Sequence, residues 1–320
     1  MPTDLLTIGV LLLLIGLYAL ANIGERSPTA RTLTLIAGAL IAGFALLIGA
    51  AVCTLNFVLY ESGAKTLAGF RSALLFGVPV GLAGALGLLY LSPAVQRLLA
   101  RIIPLRAGSP VVYLTVVLGL VLIGQQIGIP LQQETTPLTY TDLLSQDIPF
   151  FMLAFVGVGL FTRRSWPDTL ERLGLVRPAA SWWWIVALLA VALFLAVAYG
   201  IERVADVVAP AQQKQVTDVS NVLFSHFNNP AAVIFLGLLA GVVEETLFRG
   251  ALVPRMGVIV SAILFAALHT QYAISFATLE VLVLGIGLGL LRVWSRSTLP
   301  CMVTHAGYDI AVGLIPFIFK

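Results

Sequence analysis

Side chains that could do chemistry are concentrated near the end of this apolar chain. Before Pro230 the apolar segments hold almost no ionisable residue, whereas after it they hold seven: Glu244, Glu245, Arg249, His269, Glu280, His305 and Asp309. A charge at the centre of a bilayer costs about 2.5 to 3.5 kcal/mol on insertion scales, so such residues are rare and usually functional. Their grouping predicts a polar site inside the membrane.

Helical spacing divides the stretch GVVEETLFRG into a charge pair and a separate carboxylate. Glu245 and Arg249 are four residues apart and share a helix face, where their charges can pair. Glu244 points about 100° away from them and is left for other work. His269 follows a predicted turn near Gly257 by about as many residues as Glu244 precedes it, so antiparallel packing would bring both to one depth.

These residue types indicate hydrolysis. A carboxylate beside a histidine, here Glu244 and His269, can hold and deprotonate a water molecule. His305 and Asp309 also share a helix face, and such a polar pair can stabilise the oxyanion formed on an attacked amide. Two other chemistries stay open. Glu244, His269 and His305, joined by Asp309, could bind zinc without an HExxH motif, and Cys301, four residues before His305, could act as a nucleophile.

Three motifs resemble those of the CAAX prenyl endopeptidase and bacteriocin-processing family, also called the CPBP or ABI family. They are EETLFR at Glu244–Arg249, FAALH at Phe265–His269 and HAGYD at His305–Asp309, and their order and spacing fit. The resemblance covers residues 230–320. It implies a glutamate-dependent intramembrane endopeptidase that cleaves a membrane-associated peptide or protein.

The resemblance also implies roles for single residues. Those that match the family's site are the water-activating pair Glu244 and His269, the oxyanion pair His305 and Asp309, and the structural pair Glu245 and Arg249. We further expect Phe265, which shares a face with His269, to contact substrate. Eukaryotic members usually carry asparagine where this chain has Asp309, and an ionised aspartate cannot donate to an oxyanion. Either Asp309 is protonated, or it orients His305, which then donates; we expect the second. We expect no cofactor, with zinc as the alternative.

Membrane-spanning helices must position these residues. Of the 320 residues, 59% are hydrophobic and 10% are charged, against about 25% charged in soluble domains. Apolar runs near the roughly 20 residues needed to cross a bilayer predict an all-α, polytopic transmembrane helical bundle. About ten spans, in a range of eight to ten, are expected at residues 5–22, 32–58, 67–92, 110–129, 148–162, 181–204, 230–255, 257–272, 274–293 and 298–318. The fifth and eighth are short enough to be re-entrant.

The spans suggest two regions and one orientation. Residues 1–229 form an N-terminal membrane region of about six spans with no assigned role, and residues 230–320 form the protease-like domain. The run Leu5–Ala21 is expected to be a retained span. Arginines occupy alternate connections, which the positive-inside rule assigns to the cytoplasm: Arg26 and Arg31; Arg97, Arg101 and Arg106; Arg163, Arg164, Arg172 and Arg177; Arg255; Arg292 and Arg296. The connection Gln132–Asp147 has no Lys or Arg and is expected outside.

The expected location is a bacterial cytoplasmic membrane, with the lipid bilayer and a membrane-associated substrate as partners. No nucleic-acid partner is expected, because the net charge of +3 is explained by topology. A prenylated substrate is not expected either, since CAAX prenylation is eukaryotic. Two alternatives come from other classes. A transporter or proton relay would show two related halves with interrupted helices, and a non-catalytic scaffold would tolerate Glu244→Gln.

Overall fold

The computed structural model describes residues 5–128 and 136–318, with side chains from residue 8 onward. Within these ranges the secondary structure is helical and no β-strand is present. The helices are α1 Leu5–Ile23, α2 Pro28–Glu61, α3 Leu67–Leu89, α4 Pro93–Leu99, α5 Pro110–Gly128, α6 Tyr140–Val158, α7 Trp166–Leu173, α8 Trp183–Val208, α9 Pro210–Leu223, α10 Pro230–Glu245, α11 Val253–Leu268, α12 Phe276–Ser295 and α13 Leu299–Ile318. A π-helical segment, Thr246–Leu252, joins α10 to α11, and a 3-10 turn, Thr270–Tyr272, follows α11.

The chain is an integral membrane protein. Among the described residues, 8 helical stretches are long and apolar enough to cross a membrane, and Ile8–Ile23 is a shorter apolar helix. One of the 8 is the 39-residue stretch Pro230–Leu268, which contains the predicted seventh span and most of the eighth. It turns at Gly257, whose φ of 79° is readily adopted only by glycine. The predicted transmembrane helical bundle is therefore confirmed.

By their contacts, the helices divide into two compact units. The first comprises Met1–Ala19, Leu131–Ala266 and Ser275–Lys320, and the second comprises Leu20–Pro130 with Ala267–Ile274. The division predicted at residues 229 and 230 concerns function, which this grouping does not test. It stays a prediction.

Close packing of α10 on α13 positions the charged residues of the first unit. It depends on Gly237 and Gly241, which face α13. A Cβ at Gly241 would lie 2.9 Å from the Ala306 backbone nitrogen, and one at Gly237 would lie 3.2 Å from the Asp309 Cβ. Small residues of this kind let two helix backbones approach in a membrane. The last turn of α10 is thereby held against the middle of α13.

The second unit is built around α2, α3 and α5. Its helices also approach through small residues, because a Cβ on Gly49 would lie 2.5 Å from the Gly81 Cα. Tyr113 on α5 stacks on Tyr90 at a ring-centroid distance of 6.2 Å. This unit includes the short segment after α11 that carries His269.

Helix α6 begins at Tyr140, earlier than the span predicted from residue 148. Thr139 and Asp142 form a capping box, in which the Thr139 hydroxyl accepts from the Asp142 N–H and the Asp142 carboxylate accepts from the Thr139 N–H. Such a cap starts a helix among polar residues that an apolar-run count excludes. Asp147 consequently lies inside a candidate span, not in a connection. Residues 132–135 of the predicted connection lie outside the described residues.

Candidate active site

The buried carboxylate of Glu245 holds two other site residues. Its Oε1 atom accepts a hydrogen bond from Arg249 Nη1 at 2.7 Å and lies 2.8 Å from His305 Nδ1. The side chains of Glu245 and Arg249 are 0% and 1% exposed. Arg249 Nη2 also donates to the Gly285 carbonyl oxygen at 3.1 Å. Because an ionised carboxylate only accepts, this geometry places a proton on His305 Nδ1 and directs Nε2 toward the rest of the site.

The ion pair lies where α10 changes into a π-helix. Glu245 ends α10, and Arg249 lies within the π-helical segment, in which the Val253 N–H bonds to the Phe248 carbonyl five residues earlier. The Thr246 hydroxyl donates to the Val242 carbonyl at 2.6 Å. π-Helical turns are frequent at functional sites because they change the direction of side chains within a continuous helix. Arg249 therefore lies in the π-helical segment directly after α10.

Phe265 packs between the charged groups of the site. Its ring centroid lies 4.4 Å from the Arg249 guanidinium carbon, a cation–π distance. The ring also meets His305 edge-on, with 5.9 Å between centroids. Phe265 is buried in this arrangement and supports Arg249 and His305. The predicted contact with substrate stays a prediction.

Glu244 and Asp309 form the more open part of the site. Glu244 Oε2 lies 4.0 Å and Asp309 Oδ2 lies 3.4 Å from His305 Nε2, and the two side chains are 29% and 30% exposed. Glu244 Oε2 makes no hydrogen bond within the described part of the protein. The sequence suggested that Asp309 orients His305, but the imidazole donates its 2.8 Å hydrogen bond from Nδ1 to Glu245. Asp309 instead faces the same nitrogen as Glu244.

His269 lies directly after α11, with φ −84° and ψ 57°. Its ring stacks on Tyr272 at a centroid distance of 6.2 Å and an interplanar angle of 13°. The segment is fastened by Gln126 of α5, whose buried side-chain amide donates to the Ala273 carbonyl at 2.9 Å. His269, Tyr272 and Gln126 all belong to the second unit. The pairing of His269 with Glu244 stays a prediction.

Sequence reasoning missed Asp147. This side chain on α6 is 7% exposed, and its charge lies near enough to Glu244 for the two carboxyl groups to interact. Two such groups in a low-dielectric interior affect each other strongly. The T-x-x-D capping pattern at Thr139 was the available signal, since it moves the start of α6 toward the N-terminus and carries Asp147 into the span.

Sequence reasoning also left Glu280 without a partner. In the structure, the Tyr308 hydroxyl donates to Glu280 Oε1 at 2.6 Å. Tyr308 immediately precedes Asp309, so this bond ties α12 to the part of α13 that carries the site. The edge of Phe194 on α8 packs against the Tyr308 ring. No short sequence motif predicts this contact, because it joins residues 28 positions apart.

The two alternative chemistries concern a bound zinc ion and a nucleophilic Cys301. Among residues 5–128 and 136–318, no three His, Cys, Asp or Glu side chains are arranged to hold a metal ion. Zinc binding by Glu244, His269 and His305 stays an untested alternative, and one nitrogen of His305 is engaged by Glu245. Cys301 is fully buried, and its thiol lies 3.4 Å from the Leu288 carbonyl oxygen. Its role here is packing.

Comparison with known proteins gives a partial match. The chain is 36% identical over 89 residues to an uncharacterized protein, YpbD, of Bacillus subtilis (strain 168), a match that covers 27% of this chain and 46% of the relative. No solved structure matches. Residues 226–311 match the family described as "Type II CAAX prenyl endopeptidase Rce1-like". The resemblance indicated by the three motifs is thus confirmed for this part of the chain.

Proposed function

We propose that this protein is an intramembrane endopeptidase in which Glu244 activates a water molecule to cleave a membrane-associated peptide or protein. One observation carries the proposal. Glu244 Oε2, which has no hydrogen-bond partner among the described residues, lies 4.0 Å from His305 Nε2, while Glu245 fixes the other nitrogen of that imidazole. A free carboxylate opposite an oriented ring nitrogen is suited to general-base hydrolysis. The match of residues 226–311 to a protease family supports the same reading.

The proposed reaction needs two proton transfers by Glu244 and one hydrogen bond from His305. Glu244 accepts a proton from water, and the water oxygen forms a bond to the carbonyl carbon of the scissile amide. His305 Nε2, when it carries a proton, donates to the resulting oxyanion. The C–N bond then breaks, and Glu244 returns the proton to the leaving nitrogen. His269 takes part with Glu244 in holding the water, as the family resemblance implies.

Each remaining residue has a role that follows from its contacts. Glu245 fixes the orientation of His305, and Arg249 balances the charge of Glu245 in an interior where an isolated charge would be costly. Asp309 lies 3.4 Å from His305 Nε2, so it adjusts the electrostatics of the donor and binds polar substrate atoms. Asp147 acts through Glu244, because the two carboxyl groups are near enough to interact electrostatically.

The site also bears on the substrate and its location. Glu244, His269 and His305 lie in or directly beside helices that can cross a membrane, so the scissile bond must come to the bilayer. A membrane-tethered peptide or protein meets this requirement, and a prenyl group is not needed for it. The proposed location is a bacterial cytoplasmic membrane.

The test compares cells that carry the wild-type chain, the Glu244→Gln variant or no copy of the protein. N-termini of membrane proteins are identified by mass spectrometry in each. New termini that appear only with the wild type establish proteolysis and identify the substrate. Identical profiles at equal abundance of wild type and variant would overturn the proposal in favour of transport or a scaffold.

A further inference from the structure

Five arginines gather at one end of the first unit, near the ends of several of its helices. They come from three connections of the sequence and are Arg163, Arg164, Arg172, Arg255 and Arg292, here called the arginine cluster. The charges of the other four all act on Arg172. Each of the five is partly buried and partly open. The positive-inside rule placed these connections on one side of the membrane, but it did not predict that they converge.

Backbone carbonyl groups accept hydrogen bonds from three arginines of this cluster. Arg172 Nη1 donates to the Gly250 carbonyl at 3.1 Å, and Arg255 Nη1 donates to the Gly157 carbonyl at 3.2 Å. Arg164 likewise donates to the carbonyl of Val158. Carbonyl oxygens accept hydrogen bonds but carry no net charge. Burial, together with the neighbouring guanidinium charges, lowers the pKa of Arg172 to about 9.

Arg292 contributes a hydrogen-bond donor, Nε, that is not used within the described residues. Its guanidinium group lies against the backbone of Gly174, where a Cβ would come within 2.9 Å of Nε. The Arg292 Nε atom is buried and has no hydrogen-bond partner among the described residues. A buried donor without an acceptor is costly, and an anion at this point would remove the cost. Asp168 on α7 accepts hydrogen bonds from the Ser165 N–H and hydroxyl, and its charge also interacts with Arg164 of the cluster.

Exposed aromatic residues flank the cluster. Phe161 is 86% exposed and adopts a φ of 59°, a conformation that non-glycine residues rarely take. Its N–H donates to the Arg164 carbonyl at 3.2 Å, which fixes the turn that presents the ring. Trp166, at the start of α7, is also exposed. Aromatic rings at the level of basic side chains are typical of the membrane–water interface.

We propose that the arginine cluster binds the phosphate group of an anionic phospholipid, with Phe161 and Trp166 set among the adjoining acyl chains. The positive charge, the unpaired donor of Arg292 and the aromatic rings match the three parts of such a ligand: its charge, its phosphate oxygens and its hydrocarbon. The inference does not depend on the protease activity.

Native mass spectrometry of the full-length protein released from nanodiscs tests this inference. The nanodiscs contain phosphatidylglycerol and phosphatidylcholine in equal amounts, and the ratio of the two lipids retained by the protein is measured. The wild type should retain phosphatidylglycerol in preference. Each arginine near a membrane surface strengthens anionic-lipid binding about fivefold, so Arg163→Gln with Arg292→Gln should weaken it by roughly 25-fold.

Matched variants separate a specific site from general surface charge. Arg97→Gln removes an arginine outside the cluster that is also expected at the cytoplasmic side, and it should lower the ratio far less than the double cluster variant. Arg163→Lys with Arg292→Lys keeps the charge and should keep most of the preference, which also shows that the two positions tolerate substitution. Equal retention of both lipids by the wild type would overturn the proposal. So would an equal loss with Arg97→Gln, or displacement of phosphatidylglycerol by millimolar inorganic phosphate, which would identify a free-anion site.

Discussion

Replacing Glu245 by Gln should reduce both stability and activity, because it leaves a buried arginine without its counter-charge. Arg249 is 1% exposed, and the amide of glutamine could accept a hydrogen bond from it but would supply no negative charge. Breaking a buried ion pair by removing one partner costs about 3–5 kcal/mol. The free energy of unfolding in detergent micelles, measured by denaturant titration, should fall by about this amount. Cleavage of the substrate should be lost as well, since His305 Nδ1 loses its carboxylate.

A second variant separates the charge effect from a general packing defect. Glu245→Gln combined with Arg249→Met removes both charges, and replacing a buried pair by apolar groups of similar volume is often neutral. The double variant should therefore regain most of the stability lost by the single one. It should not regain activity, because the imidazole still lacks its partner. A double variant that is less stable than Glu245→Gln, or a single variant within about 0.5 kcal/mol of the wild type, would refute the reasoning.

Three further substitutions probe other parts of the molecule. Glu244→Gln should lower the rate of cleavage by about 10²- to 10⁴-fold in a peptide-cleavage assay while the unfolding free energy stays constant, since Glu244 Oε2 has no hydrogen bond to lose. Gln126→Leu should lower the cleavage rate more than the stability, because it releases the Ala273 carbonyl that fastens the segment carrying His269; hydrogen exchange of that segment should increase. Gly241→Ala should destabilise the protein by about 1–3 kcal/mol by forcing α10 away from α13, whereas Gly200→Ala, which meets no atom within 4 Å, should be neutral or slightly stabilising. Equal effects at the two glycines would contradict the packing argument.

The sequence was sufficient for features that depend on local spacing. Glu245 and Arg249 are four residues apart, and their ion pair follows from helix geometry even though Arg249 lies in a π-helical turn. The three motifs also identified the region that matches a protease family. These features can be predicted from the sequence because they do not depend on which helices contact each other.

Contacts between distant residues could not be predicted in this way. Glu245 and His305 are 60 positions apart, and their hydrogen bond depends on the close approach of α10 and α13 at Gly237 and Gly241. Asp147 was placed in a connection because apolar-run counting ignores a capping box. In both cases the missing information was packing or hydrogen bonding, not hydrophobicity.

The two adjacent glutamates differ in burial. This difference explains how the end of α10 can both hold His305 in position and supply the base that activates water. Glu245 is enclosed with Arg249, and together they fix one nitrogen of His305. Glu244, one residue earlier and about 100° around the helix, remains partly exposed beside the other nitrogen. A charged base needs access to water and substrate, whereas a positioning group gains strength from a low dielectric. Loss of the inner carboxylate should therefore affect folding and catalysis together, and loss of the outer one should affect catalysis alone.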